Sequence, residues 1–347
     1  MLVRGRWQTD RVRDRDLLVL SEEPLNAETK LEQQRGTVVP AGRHYVRTHF
    51  PIPNPPGKIQ INGEVRAPRS ATLEEIRALP ARTVAVTLEC AGNGRRFLQP
   101  PAPGEQWGLG AVGTAKWTGA PLHSLLGRDW LPSAVEVKFR GADEGVPKDL
   151  GRRIAYERSL PIEIARSNDI LLAYAMNGEP IPHEHGGPLR LIVPSWYGMA
   201  SVKWLVEITL VDRPFDGFFQ SDRYVIEGRP LNAIEPRAVI TSPADGAEVR
   251  GGSLEVRGYA WSGRAPVKRV ELSESGGTSL GAADLHAAAT TFAWQEFSFR
   301  VALEDGDHTL VARATDRDGN TQPLEPRWNA LGYANNAVRP TRIRVRS

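Results

Sequence analysis

Residues 83–96 read Thr83-Val84-Ala85-Val86-Thr87-Leu88-Glu89-Cys90-Ala91-Gly92-Asn93-Gly94-Arg95-Arg96. Val84, Val86, Leu88 and Cys90 fall on one face at the two-residue period of a strand. Gly92 and Gly94 then break the chain into a tight loop, where backbone can approach a ligand closely. Two arginines follow at once, and a positive neighbourhood favours the thiolate form of Cys90. A free cysteine is most often a small buried hydrophobe. At the end of a core strand and beside arginines it also suits a nucleophile, a redox thiol or a metal ligand. Seven histidines offer a base for a nucleophile, but they follow no cysteine-hydrolase pattern. A redox pair needs a second cysteine, and the chain has one. A soft metal with one protein thiolate, its other ligands brought by a cofactor, stays open.

That count of one also excludes an intrachain disulfide, a Cys-rich zinc site, a cysteine-bound iron–sulfur cluster and a two-thioether haem attachment. The 347 residues suggest two domains at roughly 100–200 residues each. Forty-four basic and 41 acidic residues are interspersed and leave +3, which argues against a nucleic-acid partner. Gly (33) and Pro (27) are in excess, so turns are many and the chain is β-rich. No apolar stretch approaches the ~20 residues of a membrane span. Met1, Arg4, Arg6 and Asp10 begin a segment with no apolar core, unlike a secretory leader. The expected location is the cytoplasm, or the periplasm if a leader has been removed.

Working outward from the strand, residues 1–80 read as irregular, Pro-rich wrapping, with a hairpin turn at Asn62-Gly63. Thr72 and Glu75 predict the capped start of a short helix ending before Pro80. Short helices are expected at 121–126 and 161–166, and strands at 135–139, 170–176, 189–193 and 202–211. Asn177-Gly178 is a turn. Helices and strands mix without a βαβ repeat, so the class is α+β. Near Ile234 to Arg237 the texture changes to short alternating strands. Turn pairs such as Asp245-Gly246, Gly276-Gly277, Asp305-Gly306 and Asp318-Gly319 separate them. This predicts an immunoglobulin-like sandwich and domains at 1–235 and 236–347.

The segment Glu89 to Arg96 resembles the molybdenum-ligand segment of the sulfite oxidase family. Four further stretches agree in order and spacing. Tyr45-Val46-Arg47-Thr48-His49-Phe50-Pro51, Trp107 to Trp117, Leu172 to Pro194 and Val202-Lys203-Trp204-Leu205 are each similar to a family motif. The C-terminal part, with Tyr259 to Gly263 and Trp328-Asn329, is similar to the family's dimerisation domain. The resemblance implies a mixed molybdopterin-binding domain followed by an all-β immunoglobulin-like domain, and a homodimer. It implies that Cys90 ligates molybdenum carrying one pterin; the single cysteine and the lack of a separate haem domain in residues 1–80 predict no haem or iron–sulfur cluster in this chain. Arg47, Arg95, Trp107 and Tyr224 match substrate-pocket positions. His49, His185, Arg190, Lys203 and Asp143 match positions that hold the pterin and its phosphate.

The implied activity is oxo transfer, with sulfite oxidised to sulfate and electrons passed to an external acceptor such as a cytochrome. One position departs from the pattern. Leu331 stands where typical sulfite oxidases carry a pocket arginine, and Asn335-Asn336 is similar to the nitrate reductase branch. Arg339 and Arg223 are candidates to replace the missing cation. Nitrate or another oxyanion or sulfoxide is therefore the alternative substrate. A non-catalytic immunoglobulin-like binding module is the alternative from another class.

Overall fold

The computed structural model describes residues 16–274 and 277–347. The expectations for the N-terminal 15 residues and for Gly276 lie outside them. Sheet dominates. The α-helices among the described residues are Leu73–Arg77, Leu122–Leu126, Ile162–Ala165 and Phe218–Ser221, each of five residues or fewer. The helical share of the α+β expectation is thus small.

The strand Arg82–Glu89 is the edge of a five-stranded sheet and pairs antiparallel with Val112–Pro121. Leu171–Met176 lies beyond, flanked by Glu179–Pro180 and Arg190–Ile192. Val84, Val86, Leu88 and Cys90 do share a face, packed with Trp107, Trp117 and Ile192. The opposite face, Ala85, Thr87 and Glu89, is buried as well. A segment from the C-terminal part covers it and the open edge. Phe292 O accepts the Thr87 N–H at 2.9 Å, and the Trp294 N–H donates to the Thr87 hydroxyl at 2.8 Å. Edge donors are thereby paired instead of left for another chain.

A second five-stranded sheet runs in the order Arg69–Thr72, Lys58–Gly63, Leu205–Val211, Glu136–Gly145, Ile154–Pro161. Residues 16–80 are more regular than expected from their prolines. Leu17–Ser21, Asn26–Thr29 and Val46–Arg47 form a small sheet around buried Leu17, Ala27 and Val46. Asn62-Gly63 is not a two-residue hairpin turn. Ile61 pairs with Arg69, and residues 62–68 make the connection. The parallel neighbour Leu205–Val211 pairs with Asn62 and Gly63 and carries the strand past the local turn signal. Asn177-Gly178 does turn in two residues, with φ of 55° and 90°, between paired Met176 and Glu179.

From Arg237 onward two sheets enclose a separate apolar cluster that includes Val256, Val270, Leu272, Phe297, Leu310 and Ile343. One holds Arg237–Ser242, Gly252–Trp261, Gln295–Leu303 and Asp284–Leu285. The other holds Ala247–Arg250, Thr341–Arg346, Gly306–Asp316, Val267–Glu274 and Ser279–Ala282. No helix among the described residues is long and apolar enough to cross a membrane.

Candidate active site

Cys90 follows the edge strand and is buried, with its backbone N–H on Ala111 O. The loop after it closes because Gly94 takes φ 84°, a conformation that costs a side chain energy. Residues Arg95–Phe97 then wind into a short 3-10 turn. Asn93 ties the loop down, donating to Glu89 Oε1 at 2.9 Å and accepting from the Ala111 N–H at 3.2 Å.

Cys90 lies on the wall of a cavity. Eight of the ten residues expected from sequence line it: Arg47, His49, Cys90, Asp143, His185, Arg190, Lys203 and Tyr224. Arg95 and Trp107 do not. The Arg95 side chain threads between Gly92 and Gly332, where a Cβ would meet it at 2.6 and 2.9 Å. Its guanidinium donates to Leu331 O and Glu105 O and lies 5.1 Å above the Tyr333 ring. Trp107 is fully buried in the same apolar cluster as Cys90, and its indole N–H has no partner among the described residues.

Different elements deliver the lining groups. Arg47 leaves the short strand Val46–Arg47 and donates to Asn26 Oδ1 at 3.0 Å and to Thr48 O. Asp143 sits where the strand Glu136–Gly145 slips register against its neighbour, an irregularity that re-aims a side chain. Arg190 donates to His185 O at 2.7 Å and Ser201 O at 2.9 Å and stacks over Trp117. Lys203 donates to Glu184 O at 2.9 Å and lies 4.1 Å over the Trp204 ring. Tyr224 and Trp204 hold φ of 57° and 48°, strained for large side chains. The Tyr224 hydroxyl meets His49 Nε2 at 2.6 Å.

Burial sets the protonation states. It lowers the pKa values of His49 and His185 well below the ordinary histidine range, and both are neutral. It pushes Cys90 up, with Arg47 opposing the rise. Burial lowers Arg190 to about 10 and lifts Asp143 to about 6. Among the described residues, Arg47, Arg190 and Lys203 have no carboxylate within ion-pair distance. A buried cation held only by carbonyls is costly, and an anion in the cavity would offset that cost. Arg190 Nε and Asp143 Oδ1 are buried without partners among the described residues. The residues present therefore fit a group carrying phosphate and N–H donors.

Sequence reasoning missed several lining residues. Tyr45 lies inside a quoted motif, and that was its available signal. Tyr156, donating to Met199 O at 2.8 Å, sits mid-strand with no signal at all. Neither proposed replacement for the Leu331 position lines the cavity. Arg339 lies over the Phe97 ring, and Arg223 pairs with Asp149.

Residues 49–219 match the family model for the oxidoreductase molybdopterin binding domain, and residues 229–346 match that for the Mo-co oxidoreductase dimerisation domain. Mitochondrial sulfite oxidase of Mus musculus is 32% identical over 373 residues, covering 98% of this chain and 67% of that protein. NADH nitrate reductase 2 of Phaseolus vulgaris is 31% identical, covering 90% of this chain and 40% of that protein. The sulfane dehydrogenase SoxCD of Paracoccus pantotrophus superposes with a TM-score of 0.80 at 28% identity, covering 92% of this chain and 84% of that one. The chain spans about two thirds of the length of the sulfite oxidases it matches.

Proposed function

The chain belongs to the molybdopterin-binding oxidoreductases of the sulfite oxidase family, and from that premise we propose that it oxidises sulfite to sulfate. Sulfite and water give sulfate, two protons and two electrons, and the electrons leave to an external acceptor such as a cytochrome. The observation that carries this reading is one cavity holding a buried thiol and three basic side chains, Arg47, Arg190 and Lys203, with no carboxylate at ion-pair distance among the described residues.

Cys90 would be the protein ligand to molybdenum, Arg190, Lys203 and His185 would hold the pterin's phosphate, and Asp143 would take part in holding its ring. Once bound, the molybdenum–pterin group supplies oxygen-atom transfer and two-electron exchange. The chain's own task is to bind and orient the anion. Arg47 has only neutral partners, so its charge is free to attract two sulfite oxygens. Tyr224 adds a hydroxyl to the cavity wall, and its 2.6 Å hydrogen bond with His49 Nε2 fixes where that hydroxyl points. Arg95 is held by carbonyls and acts as a nearby positive charge, which favours thiolate at Cys90. Trp107, in the same apolar cluster as the thiol, keeps an indole donor without a partner among the described residues.

The two family matches and the separate core beyond residue 237 support domains at 1–235 and 236–347. The paired C-terminal sheets are read as an immunoglobulin-like sandwich that joins two copies of the chain. One position favours a second reading, nitrate reduction: by family resemblance Leu331 stands where sulfite oxidases carry a pocket arginine, and here its carbonyl accepts from Arg95 outside the cavity lining.

Holoprotein from a cofactor-competent host separates these readings, assayed with sulfite against ferricyanide and with nitrate against reduced viologen. The expected result is stoichiometric molybdenum, sulfite turnover, and loss of both in Cys90→Ser. Nitrate turnover without sulfite turnover would establish the second reading. Protein with no molybdenum and a freely alkylated Cys90 would reject both. Leu331→Arg is expected to lower the KM for sulfite.

A further inference from the structure

Glu89 ends its strand and Cys90 follows it, and the two side chains point to opposite faces. Cys90 faces the cavity. Glu89, almost fully buried, faces the C-terminal part. Its Oε2 accepts the Trp261 indole N–H at 2.8 Å, and its Oε1 lies 3.3 Å from Arg237 Nε. Arg237 and Trp261 are directly opposed in one antiparallel ladder. The register of that sheet thus presents a cation and a neutral donor together to one carboxylate.

The same cluster grips the loop after Cys90. Arg237 donates to Asn335 O and, at 3.3 Å, to Asn93 O. Asn335 Nδ2 donates to Gly94 O at 2.8 Å, and the Ala334 N–H donates to Ala91 O at 2.8 Å. Ala334 holds φ 52° to do so. Asn93, three residues after Cys90, donates to Glu89 Oε1, the oxygen that Arg237 Nε also faces. Every carbonyl from Ala91 to Gly94 except that of Gly92 is therefore bonded by the C-terminal part, and Gly92 O takes the Arg95 N–H.

We propose that Glu89 is a positioning residue for Cys90: with Arg237, Trp261 and residues 334–335 it fixes the cysteine loop, so that docking of the C-terminal sheets sets where the thiolate meets its metal. This rests on the role of Cys90 as molybdenum ligand. The carboxylate does not touch substrate or cofactor. It acts through the peptide that joins it to the ligand and through Asn93. Partners one step removed from a metal ligand orient that ligand, and their loss typically costs about 10- to 100-fold in metal affinity or activity.

The test uses the holoprotein with Glu89→Gln, Arg237→Lys and Trp261→Phe, and the double variant Glu89→Gln with Arg237→Met. Glu89→Gln keeps an acceptor for Trp261 and removes the charge. The double variant leaves no buried charge unpaired, so it keeps the test open if a single variant does not fold. Three quantities are read: molybdenum per chain after dialysis, the Mo(V) electron paramagnetic resonance signature per bound metal, and the unfolding temperature. The expected result is about tenfold or greater loss of metal retention in Glu89→Gln, with shifted g-values in the metal that remains. The double variant is expected to unfold near the wild-type temperature and still show the shifted signature. An unchanged signature and unchanged retention in the folded variants would overturn the proposal and leave Glu89 as a packing residue. Wild-type protein without molybdenum would overturn the cofactor reading itself, and this inference with it.

Discussion

Arg47 and Arg95 carry the same group but end in different surroundings. Arg95 is consumed by carbonyls and the Tyr333 ring, whereas Arg47 keeps its charge on a cavity wall beside Tyr224 and Cys90. A hydrogen bond to a charged group is worth about 1.5–3 kcal/mol, so Arg47→Gln should raise the KM for sulfite roughly 10- to 100-fold. Steady-state kinetics on protein of matched molybdenum content checks this. A KM within twofold of wild type would place the anion elsewhere. The motifs pointed to both arginines, but no motif states which carbonyls a side chain will meet. The glycines that let Arg95 pass, Gly92 and Gly332, lie 240 residues apart in sequence and are brought together by the fold.

At the scale of elements, local chemistry was legible where nothing distant competed. The Thr72–Glu75 capping box forms as its spacing predicts: Thr72 Oγ1 accepts the Glu75 N–H at 3.2 Å, and Glu75 Oε2 accepts the Thr72 N–H at 2.7 Å. The helix it starts buries Ile76 completely. Thr72→Ala removes half of that box and should lower stability by about 1 kcal/mol in urea unfolding, with activity unchanged. The Asn-Gly pairs show where local reading ends. Asn177-Gly178 turns because its flanking strands pair with each other. Asn62-Gly63 does not, because a parallel partner more than 140 residues later supplies bonds that the turn would forgo. The strand Thr83 to Cys90 was visible from its period, but the burial of its second face was not. Ala85, Thr87 and Glu89 are ordinary residues for a solvent-facing edge.

At the scale of the whole molecule, the cavity collects neutral imidazoles. Burial lowers His44 from 6.5 to about 4, and lowers His49 and His185 still more decisively. Between about pH 4 and 6.5 these imidazoles bind fewer protons in the folded chain than in the unfolded chain, so their contribution makes stability rise with pH across that window, against the opposite and smaller contribution of Asp143. Cofactor-free protein should lose thermal stability as the pH falls from 6.5 towards 4, and His44→Phe should make that slope shallower. A Tm that rises on acidification would contradict it. The site was legible as a set of residue types at family spacing. Its closure was not, since it depends on contacts between the cysteine loop and residues 331–335. Those contacts also impose an order on synthesis. Gly94 waits for a partner 241 residues downstream. On a growing chain, the cysteine segment emerges long before the asparagine that ties it, and for that interval it is an unfinished socket. Under the proposed role of Cys90, loading of the metal group would therefore follow the meeting of both parts, late in the protein's making.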